Sequence, residues 1–368
     1  MRKLKVIPVL LLLLMVASIA WADVPVVSAN TMKIKGYTRL RYLVLPQEAD
    51  TFRFDELSLD ITNTFSDTMW GEVGALIYGG NTYLFEHLYI GFKGLPLNGT
   101  LLVGQTRNNA FGMVPSYGNR KTTNYGIVSD AFTHDRILGL QYLGKLDILD
   151  FAVAVHNGYA LGTRYAGEGT NRVNFMADRD STLGTFQGRD ASDNKEVSGR
   201  IGISTLVKGL NYGVSGSAGQ LSTADVNFLI ANSTCTEHPT YYSKKKARFG
   251  ADIRYITGPF TIQGEAYEGK TSELTTTGWQ VLGLYKWAYV PEKTMDFYAR
   301  YGELGPQDIT ATAKSYTWDM TQTVFGFIYY LTKGAWLQTE CEINDEKPPA
   351  GVDKIKNNVY FTELFVAF

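Results

Sequence analysis

The carboxy-terminal segment constrains this chain most. Residues 357–368 read NNVYFTELFVAF and stop on Phe368. Counting back in twos gives Phe368, Val366, Leu364, Thr362 and Tyr360, while the other face holds Ala367, Phe365, Glu363 and Phe361. Period-two alternation marks a strand whose two faces meet different media. A strand that ends flush on an aromatic residue, with no polar tail, suits the closing strand of a membrane β-barrel. The competing assignment is an edge strand of a soluble sheet, but an apolar edge left unpaired invites aggregation.

The amino terminus indicates export. Met1-Arg2-Lys3-Leu4-Lys5 is basic, residues 6–19 are apolar with one proline, and Ala20-Trp21-Ala22 fits the small-x-small cleavage rule. Residues 1–22 are therefore expected to be a signal peptide and residues 23–368 the mature domain. The apolar run falls short of the roughly 20 residues of a spanning helix. No second run of that length follows. Only helices and closed barrels satisfy every backbone group within lipid, so the mature chain is either a secreted soluble protein or a barrel. Composition favours the barrel: 23 Tyr, 19 Phe and 37 Gly accompany a mean hydropathy of only −0.12. A net charge of −1 gives no field that would attract nucleic acid. Cys235 and Cys341 allow a disulfide in an exported chain, although one falls in a loop and the other on an expected strand.

Sixteen alternating segments can be read: residues 32–45, 57–65, 70–78, 84–93, 100–106, 138–143, 148–155, 197–207, 210–219, 247–256, 260–268, 279–289, 294–301, 323–331, 335–343 and the closing strand. Short turns alternate with longer connections. The expected fold is all-β, a transmembrane antiparallel β-barrel of 16 strands with long extracellular loops and short periplasmic turns. No blade-like repeat supports a propeller. In the first strand Ile34, Gly36, Thr38, Leu40 and Tyr42 face out, and Lys33, Lys35, Tyr37, Arg39 and Arg41 face in. Cations stacked on one face are costly against lipid and at home in a wet lumen.

The same phase puts Lys93, Arg200, Arg248, Arg254, Lys286 and Arg300 inside, with Asp60, Asp150, Asp252, Asp296, Glu265, Glu340, Glu342 and Glu363. The first strand is basic and the last two acidic, so a field across the lumen is expected. Segments 279–289 and 323–331 are partly apolar on both faces, and their phase stays open. Trp287, Tyr289, Tyr329, Tyr330, Tyr360 and Phe368 are expected in a periplasmic aromatic girdle.

Residues 107–136 are too long for a hairpin turn, and long connections in compact folds are usually functional. They carry Arg107, Arg120 and Lys121. This segment is expected to fold into the barrel and narrow it. Lys244-Lys245-Lys246 is expected at the outer mouth.

Several stretches resemble the phosphate-selective porin O/P family. They are Val103-Gly104-Gln105 followed by Asn109-Ala110-Phe111-Gly112, then Arg136 through Gln141 (RILGLQ), His156-Asn157-Gly158, and Gly258 through Glu265 (GPFTIQGE). Their order spans nearly all of the mature chain. Where that family is arginine-rich, at the start of strand 2, this chain reads Phe54-Asp55-Glu56-Leu57 after a single Arg53. The resemblance implies a homotrimer in the bacterial outer membrane that lets small anionic or hydrophilic solutes diffuse through a basic constriction. Lys33, Lys35, Arg39, Arg41, Lys93, Arg107, Arg120, Lys121, Arg200, Arg248, Arg254 and Arg300 are the candidate anion-contacting set, since arginine forks match oxyanions. The alternative is a structural sleeve around a partner such as an electron-conduit cytochrome.

No enzyme reading stands. Gly213 to Ser217 lacks the spacing of a nucleophile elbow. His87, His134, His156 and His238 show no metal-ligand spacing, and there is no haem-attachment motif, so neither a cofactor nor a metal is expected.

Overall fold

A computed structural model describes residues 31–45, 48–78, 82–113, 121–134, 136–180, 195–204, 207–232, 243–290, 293–307 and 311–368. Residues 1–22, Arg120 and Cys235, assigned above to a leader, the anion set and half of a disulfide, lie outside the described residues.

The strands are β1 (Thr31–Val44), β2 (Thr51–Thr64), β3 (Met69–Tyr78), β4 (Thr82–Leu95), β5 (Gly99–Arg107), β6 (Arg136–Leu146), β7 (Leu149–His156), β8 (Tyr159–Ala166), β9 (Val173–Asp180), β10 (Glu196–Ser204), β11 (Leu210–Gln220), β12 (Lys245–Thr257), β13 (Phe260–Thr271), β14 (Leu274–Val290), β15 (Lys293–Pro306), β16 (Asp319–Thr332), β17 (Ala335–Lys347) and β18 (Val359–Ala367). Among the described residues two α-helices interrupt them, α1 (Ile127–Phe132) and α2 (Thr223–Asn232). Strands β1–β7 and β10–β18 form a closed sixteen-stranded antiparallel barrel, and β8–β9 is a separate hairpin.

The seam joins the chain's two ends. β18 lies antiparallel to β1, from Tyr37 beside Ala367 to Val44 beside Tyr360. The Gly36 and Phe368 amides each donate to the other's carbonyl at 2.9 Å, so pairing continues to the last residue. No sheet edge is left for water or lipid to satisfy. Gly36 is needed there, because a Cβ would stand 2.4 Å from the Ser58 carbonyl and 2.7 Å from the Phe368 ring.

Along each strand the period of two sorts side chains by medium. Ile34, Leu88, Ile90, Val153, Val197, Ile201, Phe249 and Phe325 are exposed on the outer surface. Arg39, Arg41, Ser58, Ser198, Asp252, Glu265, Asp296, Glu340 and Glu363 are buried within. Among the described residues no helix is long and apolar enough to cross a membrane. The strands left ambiguous by sequence resolve: Leu284, Val324 and Ile328 pack inward, and Trp279, Trp287 and Phe325 are exposed outward.

The girdle needs two corrections. Tyr360 pairs with Val44 at the rim opposite Phe368, because β18 begins at the outer end and finishes at the inner one. Tyr330 faces in, donating to Asp296 at 2.8 Å. Trp287, Tyr289 and Tyr329 do cluster, with Tyr289 and Tyr329 rings stacked at 6.4 Å.

Two of the longer connections are structured. The connection after β7 forms the β8–β9 hairpin, and the one after β11 carries α2. An apolar core lies inside the barrel. It combines Phe111, Val128 and Phe132 from the segment after β5, Val173 and Phe175 from β9, and Leu304, Trp318 and Met320 from the outer ends of β15 and β16.

Candidate functional site

Residues 107–113 and 121–134 reach the wall opposite β5. The Gly112 amide donates to Ser215 on β11 at 3.0 Å, and the Met113 amide to Tyr267 on β13 at 3.3 Å. Ser129 of α1 bonds Glu265 on β13, and Gln280 on β14 donates to Ser129 at 2.8 Å. Arg300 on β15 holds the other limb, donating to Thr122 Oγ1 at 2.6 Å and to the Asn124 carbonyl at 2.9 Å. The Thr123 amide reaches Glu340 on β17 at 3.0 Å, and Asn124 bonds Glu342. Every partner named here is an inward-facing group. Within α1, burial alone would raise the Asp130 carboxyl, but His134, 2.6 Å away, and nearby arginines hold it below its ordinary value.

The β8–β9 hairpin forms a second bridge. Its base is tied to β10 and β12, where Asp178 accepts from Arg248 and Lys246, each at 2.7 Å, beside Glu196. Its tip reaches β1 and β2. Glu168 meets Arg53 at 3.1 Å and Arg41 at 3.5 Å, and Thr170 Oγ1 donates to Glu48 at 2.6 Å. The hydrogen bonds from Thr170 hold the Glu48 carboxyl below its usual value.

Two β-bulges bring in carboxylates that counting in twos misplaces. Arg39 is level with Glu56 and Leu40 with Phe54, so Asp55 is the extra residue. Arg39 then contacts Asp55, Glu56 and Glu363 at 3.0, 2.9 and 2.8 Å. Arg41 contacts Asp55 at 2.8 Å and Glu363 at 2.9 Å. On β4 the extra residue is Glu86, between His87 and Phe85. It pairs with Arg136, and with Arg107 at 3.5 Å.

The structure therefore divides the candidate set. Arg39, Arg41, Arg107, Arg200, Arg248 and Arg300 are anchored. Arg107 also donates to Tyr125 at 2.7 Å, and Arg200 spans Asp252 at 2.7 Å and Asp150 at 3.0 Å. Lys121 contacts Asp296 at 3.3 Å and Tyr330 at 3.1 Å. Arg254 is half-buried, and its Nε has no hydrogen-bond partner among the described residues. Lys33, Lys35 and Lys93 are exposed. The field expected across the lumen is thus closed up into contact ion pairs at the seam, because β1 and β18 are direct neighbours. At the outer end of β12, Lys246 is buried against Asp178, while Lys244 and Lys245 are exposed.

The sequence reading placed Glu363, Asp150 and Asp252 in the lumen but missed the other carboxylates that hold these arginines. Period two carried back from Ser58 and Ser198 does reach Glu56 and Glu196, so that signal was present. Asp55 and Glu86 depend on bulges, and Glu168 and Asp178 on the hairpin.

One contact bears on catalysis. His156 Nε2 lies 3.1 Å from Ser198 Oγ, a partner that no sequence spacing revealed. The Gly158 amide donates to His156 Nδ1 at 3.0 Å. A neutral ring then carries its proton on Nε2 and donates to the serine, so it is not placed to take the serine proton.

A comparison with protein families and with curated proteins finds no match. Solved structures do resemble this one. The outer-membrane channel DcaP of Acinetobacter baumannii is 13% identical with a TM-score of 0.61, over 93% of this chain and 98% of that one. OmpF of Salmonella typhi is 11% identical with a TM-score of 0.63, over 92% and 98%. An anion-selective porin from Comamonas acidovorans is 11% identical with a TM-score of 0.55, over 92% and 100%. These likenesses show a general porin fold. With its closed wall and apolar exterior, the protein is a β-barrel of the bacterial outer membrane.

Proposed function

We propose that this protein is an outer-membrane porin through which small hydrophilic solutes diffuse passively. The observation that carries the reading is the anchorage of residues 107–113 and 121–134. They bond inward-facing groups on β11, β13, β15 and β17 and so narrow the lumen. Lys33, Lys35 and Lys93, on β1 and β4, are exposed.

A mild preference for phosphate-like anions rests on those lysines and on Arg254. The anchored arginines shape the walls, because a guanidinium already held by carboxylates has few donors left for a passing anion. The stretches that resemble the phosphate-selective porin O/P family, at the exit of β5, the start of β6, the end of β7 and the β12–β13 turn, support the same reading. Export after removal of residues 1–22 and assembly as a homotrimer belong to the same proposal; an OmpT of Vibrio cholerae with this fold has a trimer form, at 15% identity and a TM-score of 0.57 over 93% of this chain and 100% of that one. The sleeve alternative gains no support, since the chain's own core of Phe111, Phe132, Phe175 and Trp318 occupies space a partner would need.

Planar-bilayer recording of the purified barrel tests the reading. Stepwise conductance is expected, with a reversal potential in a KCl gradient that favours chloride modestly. Absence of conductance removes the porin reading; a cation-selective reversal potential removes the anion preference alone.

A further inference from the structure

A different chemistry is gathered on the β2–β4 wall, near its inner end. Asp60 on β2 is level with Gly74 on β3, and Gly74 is level with His87 on β4. Glu72 sits two residues before Gly74 and so shares its face. One donor atom from each of Asp60, Glu72 and His87 lies within 4.8 Å of the other two.

Gly74 is what lets the flanking side chains converge. A Cβ there would stand 2.6 Å from Asp60 Oδ1 and 3.0 Å from His87 Cδ2. Asp60 Oδ1 and His87 Nδ1 are both shielded from solvent, and neither has a hydrogen-bond partner among the described residues. Buried polar atoms normally find partners, so an unpartnered Asp60 Oδ1 beside the Gly74 position calls for a missing one. Glu72 is held in place by Tyr89, whose hydroxyl donates to Glu72 Oε2 at 3.0 Å and leaves Oε1 available.

We propose that Asp60, Glu72 and His87 form a lumen-facing binding site for a divalent first-row transition cation of the Zn2+ type. One imidazole and two carboxylates suit such an ion, and three protein ligands leave a coordination position for water. The ligand atoms of a tetrahedral zinc site are about 3.3 Å apart, so side-chain rotations of an ångström or so complete the site. Lys35 is the only cation paired with the cluster among the described residues, 3.9 Å from Asp60 with its side chain 66% exposed. It is free to swing aside, leaving two carboxylates to balance the ion. The site stands independently of which solutes cross the barrel.

Titration of the purified full-length barrel in detergent with Zn2+ alone, followed by calorimetry, tests this. One saturable site per chain is expected, and Co2+ in its place should give visible absorption bands of a low-symmetry nitrogen and oxygen site. His87→Ala and Asp60→Asn should each weaken Zn2+ binding by more than about ten-fold, with the barrel's circular dichroism unchanged. Gly74→Ala should weaken it too, although it removes no ligand. Wild-type protein that shows no saturable Zn2+ binding overturns the proposal, as does His87→Ala titrating like wild type. If His87→Ala does not fold, the wild-type Co2+ spectrum and Gly74→Ala decide.

Discussion

Glu363 offers a quantitative test of the charge arrangement at the seam. One carboxylate oxygen accepts from Arg39 Nε at 2.9 Å and from Arg41 Nε and NH2 at 3.1 and 2.9 Å. All three side chains are nearly inaccessible to solvent. Glu363→Gln keeps the shape and removes the charge. Leaving a buried charge without its partner costs about 3–5 kcal/mol. Here Arg39 retains Asp55 and Glu56, and Arg41 retains Asp55. The expected loss therefore falls to about 2 kcal/mol, near that of a hydrogen bond to a charged group.

Urea unfolding in detergent micelles, with Arg39→Gln, Glu363→Gln and the double variant, isolates the pair term. The lumen also gains one positive charge, so the reversal potential in a KCl gradient should move toward chloride. A coupling energy below roughly 0.5 kcal/mol, together with an unmoved reversal potential, would refute the claim that Glu363 neutralises the basic strand.

Other outcomes follow from the two inward bridges. Glu168→Gln frees the hairpin tip from Arg53 and Arg41; Glu168 and Arg53 are partly exposed and Arg41 keeps Asp55 and Glu363, so stability should change by less than about 1 kcal/mol; single-channel conductance should rise. Arg300→Ala removes the clamp on Thr122 and Asn124, and residues 121–126 should become open to protease in the folded barrel while unfolding midpoints fall. The Glu48–Thr170 contact has a lowered carboxyl pKa, so docking is complete above the ordinary glutamate value of 4.5 and is lost as pH falls below it. Conductance should accordingly be flat from pH 7 to 5 and rise in stronger acid, and Glu48→Gln should abolish that rise.

The barrel wall was legible because lipid and water impose opposite demands on successive residues. Leu88, Ile90 and Phe92 have no tolerable alternative to facing out, and Arg39 and Arg41 none to facing in. The closing strand was legible for the same reason, down to its partner β1. The interior was less so. Tyr159, Val173, Phe175 and Ala177 are too sparse in a polar stretch to announce β8–β9, since they are buried by other connections and by the inner wall of the barrel. β-Bulges break the count that places Asp55 and Glu86. Charge pairing hides too, because a list of cations says nothing of the acids that hold them. His87 stands far from Asp60 in sequence and is brought near only by the pairing of three strands.

The position of the seam dictates an order of construction. Arg39 and Glu363 are 324 residues apart, so the wall is not finished until the last residues are in place. The core of Phe111, Val128, Phe175 and Trp318 comes from segments made well before that. Threading those segments into a completed tube would mean dragging bulky side chains through its mouth. An order of folding in which the final strand closes over contents already stowed avoids that passage.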